Sequence, residues 1–238
     1  MSDTNNASTE TATERVYRAV YRAVLERRLA PGEWLRETDL ADSFAVSRTV
    51  VRQALQRLAQ HQLIELIPNR GARVPLPELA DITHVFEARR IAECEIARRL
   101  GGRLDGQQLA QLRAIAEAES SATEAGDIAA AVRWSGEFHK AIAHMHGNPV
   151  LERLLDSLLP TTSLLMSRFS VLGRPVCVVH RHVDLIRALE SGASAAAAEM
   201  KQHLTELERS LVPGSAPSPR SMRDVFRSYR ETAASPAP

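Results

Sequence analysis

Apolar residues recur with a helical period near the start of the chain. Val16, Val20 and Val24 follow one another at intervals of four, which places them on one face of a first helix. The segment Leu29-Ala30-Pro31-Gly32 then predicts a turn, because proline and glycine interrupt regular helices.

A second and a third helix follow this turn. The pattern predicts a very short helix over residues 38–43 and a longer one from Ser47 to about residue 61. Ser47 is suited to cap the longer helix, because its hydroxyl can accept a hydrogen bond from an N–H of the first turn. The apolar face of that helix consists of Val51, Leu55 and Leu58.

A hairpin comes after the third helix. Residues 63–67 alternate like a short strand, residues 68–71 predict a turn, and residues 72–74 return as a second strand. The order helix, helix, turn, helix, hairpin is typical of a winged helix-turn-helix. We assign this unit, called the head below, to residues 14–75.

The rest of the chain is helical in pattern. Strand signals end after Pro75 and Pro77, which mark the domain boundary. Residues 78–212, called the body below, contain six amphipathic segments with Gly or Pro at most junctions. These segments are 78–100, 105–125, 127–145, 149–169, 177–190 and 193–211. The expected fold is therefore mainly α, a winged head joined to an antiparallel all-helical bundle.

The two ends of the chain differ from both domains. Residues 1–13 are small and polar, and residues 213–238 are rich in Pro, Ser and Ala, so we expect disorder in both. No apolar run approaches the ~20 residues that a membrane span requires, and the first residues lack the layout of a signal peptide. We therefore expect a cytoplasmic protein without membrane contact. Cys94 and Cys177 have no CxxC partner, which argues against a disulfide framework or a thiolate metal site.

The charge distribution separates the domains further. The 238 residues carry a formal net charge of +1, but residues 14–77 contain 11 Arg and Lys against 7 Asp and Glu. Residues 78–212 contain 15 against 18. A basic head on an acidic body favours nucleic-acid binding by the head.

The start of the third helix carries side chains suited to DNA. Arg48 and Arg52 lie one turn apart on one face, and guanidinium matches guanine O6 and N7 or phosphate. Thr49 suits a thymine methyl or a phosphate. At the hairpin tip, Asn69, Arg70 and Gly71 suit the adjacent minor groove. The alternative is an ordinary solvated helix face, but the ordered short helix, turn and hairpin favour DNA binding.

These motifs resemble the DNA-binding domain of the GntR family of bacterial regulators. The resemblance rests on residues 29–32, 40–41, 46–55, Leu58 and 69–74. It implies that Ser47, Arg48, Arg52 and the wing at Arg70 and Gly71 contact operator DNA.

Three positions depart from the family pattern. Thr38 stands where an arginine usually contacts phosphate, Ala45 replaces a turn glycine, and Val50 replaces a proline. Arg36 lies close enough in sequence to substitute for the missing arginine contact.

The body resembles the FCD ligand domain of the FadR-like branch of the same family. The resemblance rests on Phe86-Glu87-Ala88-Arg89 with Glu93, Glu137-Phe138-His139, Gly147-Asn148-Pro149, and residues 182–189 and 200–204. It implies a homodimer that binds an inverted repeat and responds to a small-molecule effector, often an organic acid in this branch.

Three histidines fall on apolar helix faces of the body, namely His139, His182 and His203. They are either satisfied core residues or ligands of a metal, since bundle cores can hold imidazole sites. In the metal-binding proteins that the body resembles, an Asp one turn before the first His completes the site, and here Ser135 takes its place. We expect a divalent metal such as zinc on the three histidines, with His180 as a rival ligand.

Arg89 and Glu93 share one apolar stripe of the body. They form either a mutually satisfied internal pair or part of a cavity in which a carboxylate effector binds Arg89. The FCD resemblance favours the cavity, with Arg168 as a third candidate effector contact.

The sequence thus predicts an effector-controlled, sequence-specific transcriptional regulator rather than an enzyme. It acts as a repressor or an activator, and we favour the repressor. A metal-dependent hydrolase that uses the histidines is one alternative, although no carboxylate is clearly placed as a general base and no GxSxG motif occurs. A non-specific nucleic-acid-binding interaction protein is the other.

Overall fold

Helices dominate the structure, a computed structural model in which residues 10–68, 70–169, 182–211 and 225–226 are described. The head contains α1 (Ala12–Leu25), β1 (Trp34–Leu35), α2 (Glu37–Phe44), α3 (Arg48–Gln60), β2 (Glu65–Ile67) and β3 (Gly71–Arg73). The body contains α4 (Leu79–Leu100), α5 (Gly106–Glu124), α6 (Ile128–His146), α7 (Pro149–Phe169), α8 (His182–Ser191) and α9 (Ala193–Arg209).

The head follows the predicted order and gains one strand. The hairpin of β2 and β3 forms the wing, and β1 pairs with β3 to complete an antiparallel sheet of order β1-β3-β2. A strand of two residues has no detectable period, so the sequence does not predict β1. The predicted apolar faces meet in one core, whose fully buried members include Val16, Val20, Leu40, Val51 and Leu58.

The turn between α2 and α3 is made by an alanine in an unfavourable conformation. Ala45 ends α2 with φ 51° and ψ 47°, in the left-handed region. A side chain with a Cβ is strained there by about 1 kcal/mol, which glycine avoids. The departure from glycine at this position is therefore tolerated at a cost in stability.

The six helices described for the body pack around one apolar core. Members from every helix take part, including Phe86, Leu112, Phe138, Leu165, Leu189 and Met200. A capping box between Glu78 and Asp81 starts α4 directly after the proline-flanked linker. Within the described ranges, no helix is long and apolar enough to cross a bilayer.

Head and body meet where α1 ends. The side chain of Leu25 belongs to the body core, and its backbone carbonyl accepts a hydrogen bond of 2.5 Å from Ser163 Oγ on α7. Conversely, the side chain of Leu164 on α7 of the body is buried in the head core. The two domains therefore share side chains across their boundary.

Both predicted disordered ends need correction. Helix α1 begins at Ala12, because Thr11 caps it by accepting from Glu14 N–H, so the expected disorder of residues 1–13 extends too far. At the other end, Val225 and Phe226 are helical and buried in the head core, with exposures of 3% and 0%. The rings of Phe226 and Phe44 lie 5.2 Å apart. The sequence allows a short basic helix over residues 220–230, but it favours a disordered tail for 213–238, and at Val225 and Phe226 that prediction is wrong.

Replacing Ala45 with glycine should stabilise the protein. We expect Ala45→Gly to raise the free energy of unfolding by about 1 kcal/mol, because glycine relieves the strain at φ 51°. Equilibrium urea unfolding followed by circular dichroism measures the change. Ala110→Gly on the exposed face of α5 is the matched control and should lower stability by about 0.5–1 kcal/mol. A loss of stability in both variants would contradict the assignment of strain to Ala45.

Removing the ring of Phe226 should destabilise the head. We expect Phe226→Ala to cost about 3 kcal/mol, the usual effect of truncating a fully buried phenylalanine. Phe226→Leu keeps most of the apolar volume and should cost less than about 1.5 kcal/mol. Urea unfolding of both variants tests this, and a Phe226→Ala protein as stable as the parent would show that the ring adds nothing.

Candidate DNA-binding surface and effector cavity

The first turn of α3 presents the residues expected to meet DNA. Ser47 caps the helix, since its Oγ accepts from the N–H of Val50 at 3.3 Å. A proline at this position has no N–H to donate, so the departure at Val50 provides a capping bond. Arg48 and Thr49 are exposed beside the cap.

Sequence reasoning missed the partner of the two arginines. Arg52 Nε and Nη2 donate to the two carboxylate oxygens of Glu37 on α2, at 3.0 and 2.8 Å. Arg48 Nη2 lies 3.6 Å from the same carboxylate. Hydrogen bonding from Arg52 lowers the pKa of Glu37, so its carboxylate is ionised at neutral pH. An acidic residue at the start of the second helix, within a basic head, was the sequence feature that could have indicated a partner for these arginines.

Two other predicted DNA contacts, Arg36 and Arg70, lie together beside the wing. Arg36 and Arg70 line one groove together with Trp34 and Leu35, which brings the proposed substitute arginine beside the wing. Thr38 is exposed, and its hydroxyl donates to Asp39 at 3.4 Å. Gly71 has φ +96°, a conformation that L side chains rarely adopt. Asn69 lies outside the described residues.

The three predicted histidines converge in the body. His139 on α6, His182 on α8 and His203 on α9 are all buried. The Nε2 atom of His139 lies 3.4 Å from that of His182 and 3.3 Å from that of His203. One nitrogen from each ring lies within 4.8 Å of the others, which is a spacing that a single metal ion can bridge.

Carboxylates support two of these rings from behind. Glu93 Oε2 lies 2.5 Å from His139 Nδ1, and Glu119 Oε2 contacts His182 Nδ1. When Nδ1 carries the proton toward a carboxylate, Nε2 keeps its lone pair for the centre of the cluster. Glu119 was not predicted, although it follows Leu112 and Ala116 on the buried face of α5.

Charge in this interior is balanced by Arg89. The residue is 1% exposed, and its Nε donates to Glu93 at 2.6 Å. Burial opposes ionisation of Glu93, but Arg89 and His139 outweigh it and lower the pKa of this carboxyl. Burial also lowers the pKa of His139, against the opposing effect of Glu93. Arg89 is therefore the permanent cation that pairs with Glu93.

A small cavity opens beside the histidines. Arg89, Ser135, His139 and His203 line it. Arg89 is therefore paired with Glu93 and also faces the cavity, whereas the binding of a carboxylate effector to it stays a prediction. The cavity volume is about 40 Å³, room for roughly three water molecules. Part of its wall comes from the end of α1 and the turn after it, through Leu25 and Arg27.

One predicted effector contact, Arg168, lies away from this cavity. Arg168 is not part of the lining, because its Nη1 donates to the carbonyl of Pro77 at 2.5 Å in the linker between the domains. His180, the rival ligand, lies outside the described residues.

Family comparisons identify both domains. Residues 12–74 match the model described as bacterial regulatory proteins, gntR family, and residues 84–206 match the FCD domain. The chain belongs to the GntR family. It is a DNA-binding transcriptional regulator with a helical effector-binding domain, and its family consists of regulators rather than enzymes. This family assignment argues against the two alternative functions considered from the sequence, a metal-dependent hydrolase and a non-specific nucleic-acid-binding protein.

Curated relatives agree with this assignment. The HTH-type transcriptional repressor RspR of Escherichia coli K12 is 26% identical over 205 residues, covering 85% of this chain and 90% of RspR. The Nta operon transcriptional regulator of Aminobacter aminovorans is 28% identical over 130 residues, covering 54% and 60% of the two chains.

Solved structures have the same architecture. A putative GntR regulator from Rhodococcus sp. RHA1 aligns with TM-score 0.70 and 25% identity, covering 83% of this chain and 95% of that one. E. coli McbR/YncC aligns with TM-score 0.72 over 84% and 95% of the chains, and at 22% identity it supports the fold alone.

Proposed function

We propose that this GntR regulator acts as a homodimeric repressor that reads a two-fold symmetric operator with the start of α3 and the wing. The observation that carries the proposal is the exposed pair Arg48 and Arg52 on the first turns of a helix capped by Ser47. A helix placed this way directs its N-terminal side chains to base edges in the major groove. We propose repression rather than activation of transcription because the relative RspR is named a repressor.

The remaining contacts divide between backbone and groove. Ser47 and Thr49 suit phosphate oxygens, and Arg36 takes the phosphate contact that Thr38 is too short to make. Arg70 beside Gly71 suits the minor groove, with Asn69 next to it in sequence. Two heads related by a two-fold axis would then cover two half-sites.

Removing both arginines tests this proposal. We expect Arg48→Ala plus Arg52→Ala to lose specific binding, because two base-reading guanidiniums are deleted. The operator is first selected with the parent protein from a randomised duplex library. Affinity for the selected duplex is then measured against excess random DNA at physiological salt.

Arg98→Ala plus Arg99→Ala is the matched control, since these exposed arginines lie on α4 of the body. This control variant loses the same number of positive charges, and its affinity for the selected duplex should equal that of the parent. A head variant that still prefers the selected duplex would contradict the proposal.

We further propose that His139, His182 and His203 hold a divalent metal such as zinc. The buried, converging Nε2 atoms and the carboxylates behind two of the rings fit such an ion. Ser135 lines the cavity where an Asp ligand is expected from the family, so open positions would remain for water or effector. A bound ion would supply positive charge to an anionic group.

The effector that suits this cavity is a small organic acid. Arg27 and Arg89 line it beside the imidazoles, and guanidinium pairs well with carboxylate. A volume of about 40 Å³ holds only a few waters, so binding requires the wall to move. Because Leu25 and Arg27 form part of that wall, we propose that the effector shifts the end of α1 and so changes the population of DNA-competent heads.

Metal content can be measured directly. We expect stoichiometric divalent metal in protein purified without an affinity tag, measured by elemental analysis, and its loss in His139→Ala. His144→Ala is the matched control, because His144 is an exposed residue on the same helix, with a side-chain exposure of 77%, and should leave the metal in place. Absence of metal from the parent, or equal content in all three proteins, would refute the site.

A further inference from the structure

Glu37 places a negative charge among the residues proposed to bind a polyanion. Its carboxylate lies 2.8 Å from Arg52 Nη2 and 3.6 Å from Arg48 Nη2, and its side chain is only 21% exposed. Both arginine side chains are more than half exposed. A carboxylate at this position weakens attraction to any phosphate backbone, so binding strength alone does not account for it.

The way in which Glu37 holds Arg52 leaves a defined edge free. Guanidinium has five N–H donors in a rigid plane. The Glu37 carboxylate accepts hydrogen bonds from the N–H of Nε and from one N–H of Nη2. The opposite edge, formed by Nη1 and the second N–H of Nη2, retains two parallel donors. Two parallel donors are what guanine O6 and N7 accept.

Arg48 is held less firmly by the same group. The separation of 3.6 Å exceeds ordinary hydrogen-bond distance, so the contact of Arg48 with Glu37 is weaker and less directional than that of Arg52. The two arginines therefore differ: Arg52 is fixed in orientation, whereas Arg48 is free to adapt to bases or phosphates.

We infer that Glu37 is a positioning residue that raises sequence discrimination by fixing the free edge of Arg52 and by weakening contacts to phosphate. The inference rests on the proposed DNA contacts of Arg48 and Arg52. On random DNA, Arg52 can reach a phosphate only by leaving Glu37 or by bringing that carboxylate toward the backbone. On the operator, a guanine at the correct position accepts two hydrogen bonds from the free edge of Arg52, while the ion pair of Arg52 with Glu37 stays intact.

The test compares Glu37→Gln with the parent on two duplexes. The first is the duplex selected by the parent from a randomised library, and the second is random DNA of equal length. The glutamine keeps the size of the side chain but loses its charge. We expect tighter binding to random DNA, a slope of log affinity against log salt that is steeper by up to about 1, and a fall of about tenfold in the operator-to-random ratio.

Asp39→Asn is the matched control, because it removes one negative charge from the same helix and Asp39 contacts Thr38 rather than the arginines. Its operator-to-random ratio should stay close to that of the parent. Circular dichroism of each variant confirms that the head is folded.

A second selection gives an independent measurement. Glu37→Gln should select duplexes with reduced preference for guanine at one position of each half-site, while the other positions stay as in the parent. An unchanged ratio and unchanged selected sequences, or an equal fall in Asp39→Asn, would overturn the positioning role while leaving the proposed DNA contacts standing. If the parent selects no recurring sequence, the proposed contacts fail and the role of Glu37 fails with them.

Discussion

The end of α1 is the constraint on which the rest of the structure depends. Helix ends leave carbonyl groups without intrahelical partners, and a buried one must find a donor elsewhere. Leu25 meets this requirement in the other domain, through the hydroxyl of Ser163 at 2.5 Å, while its side chain fills the body core. Leu164 reaches back into the head core. The head therefore cannot separate from the body without exposing apolar surface and losing this bond.

The buried polar residues beside that junction depend on one another for stability. Three imidazoles, two carboxylates and a guanidinium are buried together, and removing one partner of a buried pair typically costs about 3–5 kcal/mol. Glu93 links Arg89 to His139, so its charge is shared by two neighbours. The set is not fully satisfied from within, because Glu119 Oε1 has no hydrogen-bond partner among the described residues, and it therefore suits an additional polar ligand or a metal.

Periodicity predicted the elements and the faces, but it did not predict partners across helices. The buried faces of His139, His182 and His203 follow from spacing along single helices, and the structure brings the three together. Glu119 contacts His182 across 63 residues of sequence, a relation that only helix packing decides. The same applies to Glu37 with Arg52 and to Phe226 in the head core. Local patterns report which side of a helix is buried, whereas its partner depends on the tertiary arrangement.

A single rigid element joins the cavity to the DNA-binding surface. Helix α1 forms part of the cavity wall at Leu25, and along its length it packs against α3. Tyr17 hydrogen-bonds with His61 at 2.6 Å, and Glu14 pairs with Arg57 at 2.8 Å. Leu25 and these contacts thus belong to one continuous helix. If the effector acts on Leu25 as we propose, these contacts of α1 are the route by which it biases the position of α3, which is the differential interaction that allosteric control requires.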